Sequence, residues 1–205
     1  LQPLSPQEVF KAAKSLAKDV CPGLDGLSVQ WYLQYWDLIG EGLTRAYQQV
    51  LDSGYMPQEW NDGLIYMIPK AGGQLEELRH WRPITLLNII YKILAKTLAK
   101  RLQPYLSELI HDSQTGFIQE RSIFDNIILF WEMVAFAEGQ NQELAVLFLD
   151  FEKAYDRVDW NFMEGTLLKM GFPNNWIRGV SALYRNAHSS VLFAGDIGRR
   201  FSISR

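Results

Sequence analysis

Between Leu144 and Trp160 the chain reads LAVLFLDFEKAYDRVDW. Of the four carboxylates in this stretch, Asp150 is followed at once by Glu152 and Asp156, with the aromatic Tyr155 between these two. The uninterrupted apolar run Leu144 to Leu149 predicts a strand buried on both faces. A carboxylate at the carboxyl end of such a strand stands where open sheets place their ligand crevice. A strand-end or turn aspartate would read the same from sequence alone.

A second constellation is basic. From Arg79 to Arg101 the sequence holds Arg79, Arg82, Lys92, Lys96, Lys100 and Arg101 and no acid. Lys92, Lys96 and Lys100 stack at i, i+4 on one face of a predicted helix, Asn88 to Leu102, whose apolar stripe is Tyr91, Leu94, Leu98 and Leu102. Such a stripe is commonly a solvated face. Stacked lysines repel one another, however, and a phosphate backbone alongside would relieve that repulsion.

The elements that must position these groups follow from caps and breakers. Ser5-Pro6-Gln7-Glu8 predicts a helix start, with the helix running to about Lys18. After the turn-rich stretch Cys21 to Gly26, Ser28 caps an aromatic helix reaching about Ile39. A further helix over Gly42 to Ser53 ends at Gly54. Leu64 to Ile68 is a predicted strand closed by Pro69, followed by Lys70 and a polar loop over Gly72 to Glu77. Gln114 to Ile123 reads as a loop or short strand. The next helix, Phe124 to Ala137, should bury Ile127, Ile128, Phe130, Trp131 and Val134. Asp159 caps a helix to Met170, and Asn174 or Asn175 caps another to about Arg185. A hairpin closes the chain, with strands Ser190 to Ala194 and Arg200 to Ser204 and a Gly195-Asp196 turn. Helices followed by a small mixed sheet with helices against it predict an α+β fold.

Composition narrows the function classes. The 205 residues are 48% hydrophobic and 21% charged, ordinary for a globular chain, and the net charge of -3 does not advertise a polyanion partner. Any basic surface is therefore local. One cysteine, Cys21, rules out an intramolecular disulfide and a cysteine zinc site. No run approaches the length of a membrane-spanning helix, and no basic, then apolar, leader opens the chain, so a soluble intracellular protein is expected. A start at Leu1 and a strand-like end at Arg205 predict a piece of something longer.

Four ordered blocks carry a resemblance. They are Pro22-Gly23-Leu24-Asp25-Gly26; Ile68-Pro69-Lys70 with Arg82-Pro83-Ile84-Thr85-Leu86-Leu87-Asn88 and Tyr91-Lys92-Ile93; Gln114-Thr115-Gly116-Phe117 through Arg121-Ser122-Ile123 and Asp125-Asn126; and Phe148 to Asp156. Together they resemble the reverse transcriptases of non-LTR (LINE-type) retrotransposons, over essentially the whole chain. Leu24 departs from the family's usual proline, and Glu120 from its usual glycine before Arg121. The family's paired-aspartate hairpin is expected beyond Arg205.

The resemblance implies a fingers-like region with N-terminal helices over 1–138 and the first part of a palm over 139–205. It implies an RNA-directed DNA polymerase using an RNA template, a DNA primer and dNTPs, with two Mg²⁺ ions (or Mn²⁺) in the complete enzyme and a nuclear location. Asp150 and the Phe151 carbonyl would be metal ligands. Lys70 and Arg82 would grip the triphosphate, as a point charge and a bidentate fork. Tyr155 would exclude a ribose 2′-OH. Gln114, Gly116, Phe117 and Arg121 would position template or shape the pocket. Without the paired aspartates the chain alone is expected to be inactive. Two rival readings stand beside this one: a decayed or co-opted remnant that only binds nucleic acid, and an aspartyl-phosphate enzyme. The last needs a second aspartate two residues after the first, where this chain has Glu152.

Overall fold

The computed structural model describes residues 2–17, 21–72, 76–151 and 153–204. Glu152, Lys18 at the expected end of the first helix, part of the 72–77 loop and Arg205 lie outside the described residues. Two compact units form: one from residues 1–98 and 158–205, the other from 99–157.

The larger unit opens with α1 (Pro6–Lys14), where the Ser5 hydroxyl accepts from the Glu8 N–H at 3.2 Å and Pro6 fills the first helical position. Ser28 caps α2 (Val29–Gln34) in the same way, through the Trp31 N–H. The two helices expected next are divided differently. The break falls at Tyr35, and α3 (Trp36–Ser53) runs straight through Gly40 and Gly42. It stops at Gly54, whose φ of +72° lets its N–H return to the Val50 carbonyl at 2.8 Å. Val9, Ala12, Ala13, Val29, Tyr32, Tyr47 and Val50 form a buried core where α3 packs on α1 and α2.

β1 (Asp62–Pro69) is longer than its apolar run. It pairs antiparallel along its length with β2 (Trp81–Leu87), from Gly63↔Leu87 to Pro69↔Trp81. β2 is not among the strands expected from sequence, and it carries Pro83, which cannot donate to a ladder. The sheet order explains the tolerance: β2 is an edge strand, where a missing N–H is harmless. On its other side β1 pairs in parallel with β3 (His188–Phe193), which carries two short antiparallel partners, β4 (Asp196–Ile197) and β5 (Phe201–Ser202). A hairpin is present, but its tight turn falls one residue earlier than expected, β3 starts at His188 rather than Ser190, and the expected second strand is divided into β4 and β5. Ala194 and Gly195, at φ +51° and +92°, supply the two left-handed positions of a tight two-residue connection. α6 (Trp160–Lys169), capped by Asp159, packs against α7 (Asn174–Tyr184), which follows Pro173 rather than an asparagine cap. Helices with a small, mainly antiparallel mixed sheet agree with the α+β expectation.

α4 (Ile89–Leu109) extends seven residues past the expected Leu102, with Pro104 inside it. Ile89, Ile93, Leu94, Thr97 and Leu98 are its buried positions, so the seam is rotated from the predicted stripe. The division between the units falls within this helix, after Leu98.

The second unit departs most from expectation. α5 (Ile123–Gly139) forms, with the Ser122 hydroxyl and the Asp125 carboxylate making a reciprocal capping box. Its predicted buried face is nevertheless open: Ile127, Ile128 and Trp131 are exposed, and Ala137 is the buried residue of the helix. Leu144 to Asp150 is not a strand buried on both faces but an irregular, exposed segment, with Leu147 and Phe148 each 80% accessible. A strand exists through its partners, and no strand among the described residues pairs with this one.

Candidate active site

Lys70 and Arg82 stand near the same end of the β1–β2 ribbon. Arg82 lies opposite Ile68 and so shares its face, and Lys70, two residues on from Ile68, shares it by alternation. The pairing continues past the strand end, where the Lys70 N–H donates to the His80 carbonyl at 2.8 Å. The Lys70 ammonium donates to the Arg79 carbonyl at 2.8 Å, and Arg79 is ion-paired with Glu77. Both Lys70 and Arg82 are exposed. The two cations are therefore neighbours on one solvent-facing surface, a geometry suited to a polyphosphate.

The lysine stripe of α4 is not uniform. Lys96 and Lys100 are exposed, whereas Lys92 is half-buried. Burial holds the Lys92 ammonium below its ordinary pKa, against the opposing pull of Cys21 and Asp25. Its neighbourhood is thus partly the 21–25 loop.

In the second unit Asp150 is an exposed carboxylate, and Phe151 beside it is exposed as well. The expected position of Asp150 at the end of a rigid strand is not realised, for the same lack of a pairing partner. Carboxylate and carbonyl oxygens suit a hard divalent cation. Among the described residues, however, no three His, Cys, Asp or Glu side chains are grouped as a metal centre.

Tyr155 has a definite neighbour. Its ring stands edge-on to that of Phe117, with centroids 6.2 Å apart and planes at 79°. Phe117 is 84% accessible, its backbone is left-handed at φ +65°, and its carbonyl accepts from the Gln103 side chain at 3.3 Å. The block containing Gln114, Gly116 and Phe117 therefore meets the Tyr155 turn through one aromatic pair.

Arg121 is committed elsewhere. Its guanidinium donates to the carbonyls of His111, Gln114, Ser107 and Ile110 at 2.7–3.2 Å and to the Asp112 carboxylate at 3.0 Å. It gathers the Ser107 carbonyl near the end of α4 and carbonyls of the loop after it, capping the C-terminal end of the helix. Its side chain is 14% accessible. Arg121 thus shapes the loop; its terminal nitrogens are occupied by the protein itself. Glu120 before it has φ +66°, the conformation that favours the glycine the family carries there.

The model of the family described as "Reverse transcriptase (RNA-dependent DNA polymerase)" matches residues 68–197. The chain belongs to the reverse transcriptase family. Among curated relatives, it is 33% identical over 189 residues to the "Transposon TX1 uncharacterized 149 kDa protein" of Xenopus laevis, covering 92% of this chain and 14% of that protein. It is 30% identical over 182 residues to the "Retrovirus-related Pol polyprotein from type-1 retrotransposable element R2" of Popillia japonica, covering 87% and 24%. A "Probable RNA-directed DNA polymerase from transposon BS" of Drosophila melanogaster is 29% identical over 183 residues, covering 84% and 19%. The chain spans less than a quarter of the length of these three relatives. Its affinity is with the reverse transcriptases of non-LTR, LINE-type retrotransposons.

The sequence reading left one structural hub without a role. Asn88, the last residue of the Arg82 block, is buried and bonded to two separate segments. The sequence places Asn88 at the start of a predicted helix, and its junction with a strand emerges only with β2.

Proposed function

We propose that this chain is the fingers (1–138) and first palm segment (139–205) of an RNA-directed DNA polymerase that copies RNA from a DNA primer. The observation that carries the reading is the family match over 68–197, which spans Lys70, Arg82, Asp150 and Tyr155. In this reading Lys70 and Arg82 hold the triphosphate of the incoming dNTP, one as a point charge and one as a fork. Tyr155, exposed and edge-on to Phe117, stands under the sugar and excludes a 2′-OH. Lys96 and Lys100, with Lys92 contributing less because of its partial burial, run along the nucleic-acid backbone. Gln114, Gly116 and Phe117 border the template, and Arg121 holds their loop.

Asp150 and the Phe151 carbonyl would hold divalent metal, Mg²⁺ by their oxygen chemistry. The metal would supply charge neutralisation at the triphosphate and activation of the primer hydroxyl. Asp150 gives only part of such a site, so these 205 residues do not polymerise alone.

The test is a primer-extension assay with Mg²⁺, an RNA template and dNTPs. The chain by itself is expected to be inactive, and a longer polypeptide that adds the family's paired aspartates is expected to extend the primer. Asp150→Asn in that polypeptide should lower the rate by roughly 10²-fold or more, the scale at which removing one charge-stabilising group acts. Undiminished extension by Asp150→Asn would remove Asp150 from the metal site. Failure of the longer polypeptide to extend any primer would favour a remnant that binds nucleic acid without catalysis.

A further inference from the structure

We propose that Asn88 is a positioning residue that clamps the 23–25 loop onto the root of the β1–β2 ribbon and so sets the aim of Lys70 and Arg82. The inference rests on the reading of those two cations as the triphosphate grip. Asn88 joins β2 to α4 and is only 4% accessible. Its amide is used at both ends. The Oδ1 accepts from the Asp25 N–H at 3.2 Å, and the Nδ2 donates to the Glu59 carbonyl at 2.6 Å, just ahead of β1. Its own carbonyl accepts from the Lys92 N–H at 3.2 Å, in the first turn of α4. One residue therefore ties together the N-terminal loop, the entry to β1, the exit of β2 and the start of α4.

The approach of the loop is very close. A Cβ at Gly23 would stand 2.1 Å from Asn88 Oδ1, 2.5 Å from its amide nitrogen and 2.7 Å from its Cα. Two of these are backbone atoms that no side-chain rotation can move. Glycine is thus required at 23 for the loop to lie on the strand–helix junction. Asp25 completes the contact through its backbone while its carboxylate accepts from the Leu27 N–H at 3.1 Å.

The mechanical consequence follows from the register. Asn88 follows the root pair Gly63↔Leu87, while Lys70 and Arg82 flank the tip pair Pro69↔Trp81. Six residue steps separate the pairs, about 20 Å of ribbon at strand spacing. β3 supports β1 from Asp62 to Tyr66, and the paired strands run three residue steps beyond that support, to the tip pair beside the two cations, so a rotation of the β2 exit at Asn88 is passed along the ribbon to them. Loss of the clamp should weaken polyphosphate binding without touching a polyphosphate-contacting group.

The test is calorimetric titration of the whole chain with dTTP and Mg²⁺, each protein held well below its own melting midpoint. Lys70→Ala is expected to weaken binding at least tenfold and Asn88→Ala at least fivefold. Val50→Ala, a core truncation in α3, should lower the melting midpoint and leave affinity within twofold. Where Asn88→Ala does not fold, Asn88→Asp decides: it keeps the acceptor for Asp25, loses the donor to Glu59, and should weaken binding at least threefold. Asn88 variants within twofold of the parent, beside a weakened Lys70→Ala, overturn the clamp alone. Equal weakening by Val50→Ala also overturns it, since general loosening would then account for the effect. No binding by the parent chain, or none lost in Lys70→Ala, overturns the triphosphate grip and the clamp with it.

Discussion

At the scale of single residues, the loop of 111–122 shows how one side chain can replace an element. Arg121 spends its terminal nitrogens on four carbonyls and one carboxylate, a fork that lysine cannot imitate. The residue beside it works against the same turn. Glu120 sits at φ +66°, where a non-glycine residue costs roughly 1–2 kcal/mol. Replacement by glycine relieves that strain and adds back about 0.5–1 kcal/mol of unfolded-state freedom. Glu120→Gly should therefore stabilise the chain by roughly 0.5–1 kcal/mol, a rise of about 1–4 °C in the midpoint of a reversible thermal melt. A lowered midpoint would mean that the Glu120 side chain holds something the backbone argument omits. This turn was legible in the sequence only as a departure from a motif. Its reason, a left-handed backbone, is a property of the fold.

At the scale of elements, caps were the most legible features and pairings the least. Ser5, Ser28, Gly54 and Asp159 all act as the sequence predicts, because a cap is decided within four residues. β2 and the Leu144 to Asp150 segment were misread in opposite directions, since a strand depends on a neighbour that local sequence does not name. Packing of α6 on α7 adds a titratable tie of the same non-local kind. Glu164 accepts from the Ser181 hydroxyl at 2.6 Å and from the Arg185 guanidinium at 3.1 Å. The Ser181 hydrogen bond, with help from Arg185, holds the Glu164 carboxyl below its ordinary value of 4.5. A carboxylate favoured in the folded state contributes stability above the unfolded pKa and loses it as pH falls through the folded one. Glu164→Gln should thus lower the melting midpoint at pH 7, and the gap from the parent should close below about pH 4.5. A gap that persists into stronger acid would place the effect in packing rather than charge.

At the scale of the whole molecule, the chain divides its burial unequally. The larger unit holds the core of α1, α2 and α3 and the five strands of the described residues. The unit of 99–157 holds an exposed apolar helix face and the segment bearing Asp150. Solvent exposure alone does not make a cleavage site. A protease needs several residues drawn out of secondary structure, and helices such as α5 resist that, although Phe124 and Trp131 are exposed. Phe117 is as exposed but stands alone in a loop tied down by Gln103 and Arg121, whereas Leu147, Phe148, Leu149, Phe151 and Tyr155 form a run, each at least 76% accessible and none in a helix or strand. Brief digestion with chymotrypsin should therefore cut first between Leu147 and Tyr155, with Tyr32 and Tyr47 among the last sites reached. Mass spectrometry of the earliest fragments reads the order directly. A first cut in β1 or α3 would show that the larger unit opens before the Asp150 segment. Protection of 147–155 on adding a longer palm sequence would show that this apolar run acquires strand partners that it lacks among the described residues, restoring the position from which Asp150 is proposed to act.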